Sequence, residues 1–171
     1  MSELYLQPTP VAQWHALVNE AQLGCDVELG EELESYLVFM LMRFSDRAGL
    51  GNGAVAVEFL ESIHKVGTER NECLQEVGDK CLLLSGFFPK QLERRRLQES
   101  YYIDLGQNAY YTLASTSRMT IADLYQNLCE HFVVIKDVMQ AMRSQKDDPG
   151  DLKHYLREHN KLNFRLKRKL H

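Results

Sequence analysis

Apolar residues recur at intervals of three and four along almost the whole chain, and no stretch alternates apolar and polar residues long enough to make a strand. That pattern restricts the fold to packed helices, because a 3.6-residue period puts one apolar stripe on each helix. The first stripe is Val11, Trp14, Leu17, Val18 and Ala21. Thr9 suits the cap of this helix, and Pro10 suits its first position, where a missing N–H has no partner to lose. Gly24 is expected to end it. Trp14 is the only tryptophan and is expected in the core. Residues 1–8 show no such pattern and are expected to be flexible.

A second helix is expected over 30–46. Glu31, Glu32 and Glu34 crowd its first turn, where the helix dipole favours negative charge. Leu33, Leu37, Met40, Leu41 and Phe44 form its buried stripe. Glycines at 49, 51 and 53 follow, in the segment 48–54. A dinucleotide fingerprint needs a strand before its glycines. Here a helix precedes them, so the segment reads as a connector.

Helix three is expected over 54–66, with Val55, Phe59, Leu60 and Ile63 toward the core. Glu58, Glu61 and His64 stand three apart on a shared face. Glu61 and His64 form the E-x-x-H pair that carboxylate-bridged metal bundles draw from one helix. Such a centre needs a second pair, and the only other candidate is Asp151 with His154. Glu58, Glu61 and His64 are the metal candidates. A surface Glu–His pair is the simpler reading.

The stretch 78–113 is the richest in the chain. The fourth helix, over 68–85, carries Gly78 in its interior, at a cost of about 1 kcal/mol relative to alanine. A close neighbouring backbone is expected to offset that cost, with Gly106 and Ala109 opposite. Asp79 could face solvent or lie partly buried. Gly86 is expected as a left-handed cap, Pro89 as a stop, and Phe87 and Phe88 as a plug for the bundle end. A short helix over 90–99 carries Arg94, Arg95 and Arg96, either a solvated face or an anion site. The next helix, over 100–115, holds four of the eight tyrosines. Tyr102 and Tyr110 are expected to point inward. Together with Asp79, Asp104 and His131 they are the candidates for a ligand pocket between the middle helices.

Thr120 and Asp123 resemble a capping box opening one continuous helix over 120–143. After an Asp-Asp-Pro-Gly turn, residues 150–171 are expected to form a basic amphipathic helix. Lys153, Arg157, Lys161 and Arg165 line one side of it. Nucleic acid or an anionic surface could bind there, but so could the chain's own acidic half. Residues 1–80 carry a net charge of −9 and residues 81–171 a net +5.

These elements combine into an all-α, single-domain bundle of six to eight helices. Its core is expected from residues 33–44, 74–84, 102–113 and 124–142. The N-terminal residues lack the basic and apolar regions of a signal peptide, and no apolar run approaches the roughly 20 residues of a membrane span. The four cysteines form no C-x-x-C pair, so they are expected to be reduced, which points to the cytoplasm. No catalytic motif converges. The leading expectation is therefore a non-enzymatic interaction or regulatory module, a homodimer or a partner of another protein, requiring no cofactor. The alternatives are a helical enzyme or small-ligand or metal-binding protein, and a nucleic-acid or anionic-surface binder.

Overall fold

Helix α1 spans Pro10–Cys25, α2 Glu31–Ser45, α3 Val55–Ser62, α4 Gly67–Gly86, α5 Pro89–Arg94, α6 Glu99–Thr116, α7 Met119–Glu130 and α8 Phe132–Met142. The computed structural model describes residues 9–47, 55–94, 98–143, 152 and 155–157, and no strand occurs among them. The all-α bundle expected from periodicity is the fold. The glycine connector 48–54, Arg95, Arg96, Lys153, Lys161, Arg165, residues 1–8 and most of the expected C-terminal helix lie outside the described residues, as does the side chain of Arg94.

Helix α4 is the axis of the bundle, with α3, α5, α6 and α8 against it. Its closest partner is α6, which runs antiparallel to it. Gly78 meets Tyr110, and Cys81 meets Gly106. The glycines explain how close the helices come. A Cβ on Gly78 would lie 2.6 Å from Cε1 of Tyr110, and one on Gly106 would lie 2.5 Å from Cε2 of Phe132. Aromatic rings, rather than facing small residues, therefore fill the space that these glycines leave. Helix α1 covers α8, and α2 bridges α1 to α7. Trp14, Phe87 and Phe88 are buried as expected.

Several boundaries differ from the sequence expectation. Thr9 does cap α1, accepting from the Ala12 N–H at 3.3 Å. The helix continues past Gly24, however, and Asp26 supplies the left-handed cap with φ 54°. Aspartate tolerates that conformation better than most residues. Gly86 is helical rather than left-handed. Its lack of a side chain admits Met139, whose Cβ would lie 2.8 Å from an added methyl. Thr120 lies inside α7, which starts at Met119 after Arg118, so the expected capping box does not form. The helix expected over 120–143 is broken at His131. There the backbone leaves helical geometry, with φ −100° and ψ 13°, although the His131 N–H still donates to the Asn127 carbonyl at 2.9 Å. Finally, Leu60 and Ile63 do not face the core: they are 59% and 63% exposed. Helix α3 is short and leans chiefly on α4, which covers one side of it.

Candidate functional site

The most concentrated polar chemistry in the molecule surrounds Asp79, which is fully buried in the middle of α4. Its Oδ1 accepts from the hydroxyls of Tyr36 and Tyr110, each at 2.6 Å. Its Oδ2 accepts from Nη2 of Arg43. Tyr36 also receives a hydrogen bond from Nε2 of Gln75 at 3.3 Å. The Tyr125 ring stacks on Tyr110 with centroids 6.3 Å apart and 17° between planes. One carboxylate thus gathers side chains from α2, α4, α6 and α7.

Local sequence explains the convergence. Tyr36 and Arg43 are seven residues apart on α2, two turns along one face, so both reach the same point on α4. Gly78 leaves room for the Tyr110 ring to lie against α4 and deliver its hydroxyl to the next residue, Asp79. Arg43 and Arg47 also lie over the Phe44 ring, at 5.1 and 4.7 Å from its centroid. Arg47 pairs with Glu76, one turn before Lys80 on α4.

Burial pushes the Asp79 carboxyl above its ordinary range, opposed by Arg43 and by the hydroxyls of Tyr110 and Tyr36. Burial also lifts the phenols of Tyr36 and Tyr110 well above their ordinary value, and the neighbouring Asp79 charge lifts them further. Arg43 is raised despite partial burial, because Asp79 holds its charged form. Both carboxylate oxygens carry donors, and the group is sealed from solvent. Its chemistry is that of a fixed acceptor joining three helices, α2, α4 and α6.

Of the residues singled out from sequence, Asp79 and Tyr110 are brought together. Tyr102 is buried elsewhere on α6, edge-on to Tyr101 at 5.7 Å. Asp104 and His131 are exposed. Glu58 holds Nζ of Lys80 at 2.9 and 3.2 Å, while Glu61 and His64 point outward. No group of three or more metal-ligating side chains forms among the described residues. Arg157 is exposed. Sequence reasoning missed Tyr36, Arg43, Gln75 and Tyr125. The signal for the first two was their seven-residue spacing on α2.

A second concave feature lies elsewhere, between α1 and the start of α2. It is an open groove of about 940 Å³ whose lining includes His15, Gln22, Asp26, Glu31 and Glu34. His15 Nδ1 lies 3.4 Å from Glu34. None of the candidate site residues named from sequence lines it. Compared with known protein families, curated proteins and solved structures, the chain matches none, so its chemistry is read from its own geometry.

Proposed function

We propose that this chain is a non-enzymatic helical module that pairs with a second copy through the outer face of α3 and the turn after it. The observation that carries this is a row of exposed apolar side chains. Val57 is 50% exposed, Leu60 59%, Ile63 63% and Val66 82%. Val57 and Leu60 lie three apart on α3, and Ile63 and Val66 continue the strip into the turn after it. Contiguous exposed apolar surface marks interaction sites. On the opposite side of α3, Val55 and Ser62 are buried, and the Glu58–Lys80 pair ties the helix to α4. The strip therefore faces away from the bundle.

A two-fold axis beside α3 would lay the strip on itself, as isologous interfaces do. From their fractional exposures the four side chains offer about 400 Å², half of the ~800 Å² that each partner contributes to a standard interface. The pairing is accordingly weak and reversible. The non-enzymatic half of the proposal is supported by the enclosure of Asp79 and the separation of the remaining polar candidates. The cytoplasm fits four unpaired cysteines. Among the described residues no helix is long and apolar enough to cross a membrane.

Sedimentation velocity over a concentration series tests the pairing. The wild-type chain is expected to shift from monomer to dimer. Leu60→Glu combined with Ile63→Glu is expected to hold it monomeric with unchanged helical circular dichroism. A wild-type chain that stays monomeric throughout, or a dimer that survives both substitutions, overturns the proposal.

A further inference from the structure

Glu61 and His64 border the apolar strip of α3, and both are exposed. The backbone sets how they stand. From Leu60 onward the hydrogen bonds span three residues. The Ile63 N–H donates to the Leu60 carbonyl at 3.3 Å, the His64 N–H to Glu61 at 3.1 Å and the Lys65 N–H to Ser62 at 3.1 Å. In such a turn, side chains three apart eclipse. His64 therefore stands over Glu61, as Ile63 stands over Leu60, and the two rows run side by side. The carboxylate and the imidazole share one flank of the strip.

Glu58, one turn earlier, is held by Nζ of Lys80. Within one chain Glu61 and His64 are a pair without a third donor, since no group of three or more metal-ligating side chains forms among the described residues. Closed zinc sites built from imidazoles and carboxylates use four ligands. One chain thus supplies half a site.

Two-fold symmetry supplies the other half. A helix face pairs with itself in two ways. With the axis along the helix, the copies run parallel and each flank meets the opposite flank. With the axis across the helix, the copies run antiparallel and each flank meets its own counterpart. An axis of the second kind, passing between Leu60 and Ile63, sets Leu60 of one copy against Ile63 of the other. It equally sets Glu61 of one copy against His64 of the other. Two imidazoles and two carboxylates then converge, a donor set that suits Zn²⁺. The strip covers only half the area of a standard interface, so an ion bound across the axis adds the hold that the strip lacks.

We propose that Glu61 and His64 of two antiparallel copies form an intermolecular Zn²⁺ site, and that the ion strengthens pairing through α3. The site rests on the α3 pairing proposed above and adds to it an orientation and a ligand.

Sedimentation velocity of the full-length chain, in EDTA and in graded Zn²⁺, reads the effect. An ion bound only by the dimer, at 100 times its dissociation constant, is expected to lower the apparent Kd for pairing about a hundredfold. Native mass spectrometry is expected to find one ion per two chains. His64→Ala and Glu61→Ala each change an exposed side chain. Both are expected to keep the metal-free dimer and to lose the Zn²⁺ response. His15→Ala, at the imidazole–carboxylate pair formed with Glu34, is expected to respond like the wild type. Co²⁺ in place of Zn²⁺ is expected to give the visible absorption of a tetrahedral site, absent from the His64→Ala chain.

The outcomes separate the site from the pairing it rests on. A Kd equal in EDTA and in Zn²⁺, yet raised by Leu60→Glu with Ile63→Glu, overturns the metal site and leaves the α3 pairing standing. A chain monomeric under both conditions overturns both. Pairing that appears only with Zn²⁺ and vanishes in His64→Ala supports the metal site and overturns pairing by the strip alone. A Zn²⁺ response that persists in His64→Ala, or one ion bound per chain without pairing, overturns the site.

Discussion

Around Asp79, three tyrosines gather at a single carboxylate, and two of them end on it. Eight residues further on, just past the end of α4 and around Phe87, the rings of Trp14, Phe87, Phe88 and Tyr155 pack on one another. Both clusters lie in the interior and both are aromatic. In the first, every oxygen of the central group is met by a donor. In the second, the one indole N–H is met by nothing. Hydrogen bonds are directional, so the first cluster sets α2, α4 and α6 in one arrangement, although Nε of Arg43 is left unmet there too. Ring packing and apolar burial are less demanding of geometry. The contrast separates a part of the core held by directional bonds from a part held chiefly by burial.

The sharpest way to break this contrast is to remove the acceptor. Asp79→Ala strands the buried hydroxyl of Tyr110 and that of Tyr36, and an unsatisfied buried donor costs about 1–3 kcal/mol. Arg43 recovers part of its loss, since its side chain is 37% exposed and can turn to water. A destabilisation of roughly 3 kcal/mol is expected from urea unfolding, at the lower end for loss of a buried pair. Phe88→Leu, an apolar exchange in the second cluster, is expected to cost about 1 kcal/mol. If the Phe88 variant proves the less stable of the two, Asp79 is not the group that fixes the bundle.

Glycines give the next test, of smaller size and of opposite sign at two sites. Gly78→Ala drives a methyl to within 2.6 Å of the Tyr110 ring, which is held by its bond to Asp79 and cannot withdraw freely. Overpacking of this kind costs about 1–3 kcal/mol, less the ~1 kcal/mol that alanine gains in a helix. A net loss of about 1 kcal/mol is expected. Gly24→Ala has nothing within 4 Å of the new methyl and lies in α1, so it is expected to stabilise by about 0.5–1 kcal/mol. Thermal unfolding of the two variants beside the wild type reads both signs. Equal effects would mean that Gly78 is tolerated rather than required.

Much of this was legible in the residues. The helical stripes placed Leu37, Leu41, Val77 and Leu113 inside, and all four are buried. Gly78 announced a close approach, but its neighbour is a ring of α6 rather than a small residue, because spacing reports that room is needed and not what fills it. Asp79 could not be placed from pattern alone. Its burial depends on donors 43, 36 and 31 residues away, and a local period carries no trace of such partners. Leu60 and Ile63 were misplaced for a related reason. Periodicity identifies an apolar face but cannot say whether the chain supplies anything to cover it.

The smallest effect concerns the hydroxyls themselves. Tyr36→Phe and Tyr110→Phe each remove one donor to Asp79 while leaving the others, and each is expected to cost about 1 kcal/mol. Their pH dependence carries more information. Burial, then the Asp79 charge, puts both folded-state values above the ordinary 10.0. A group raised in the folded state contributes stability that is complete below its unfolded value and is lost as pH rises through the folded one. The wild-type chain is therefore expected to hold its stability up to about pH 10 and to lose it above. Phenolate absorbance is expected to contain a step that coincides with the loss of helical circular dichroism. Tyr155 is raised too, by burial first and Glu20 second, so part of that step belongs to the aromatic cluster around Phe87. The chain with both Tyr36→Phe and Tyr110→Phe isolates the Asp79 share, which is expected to vanish from the step. If the two hydroxyls instead ionise while the helices remain intact, water reaches the Asp79 cluster without unfolding. The Asp79 cluster would then not be the closed part of the core that its burial describes.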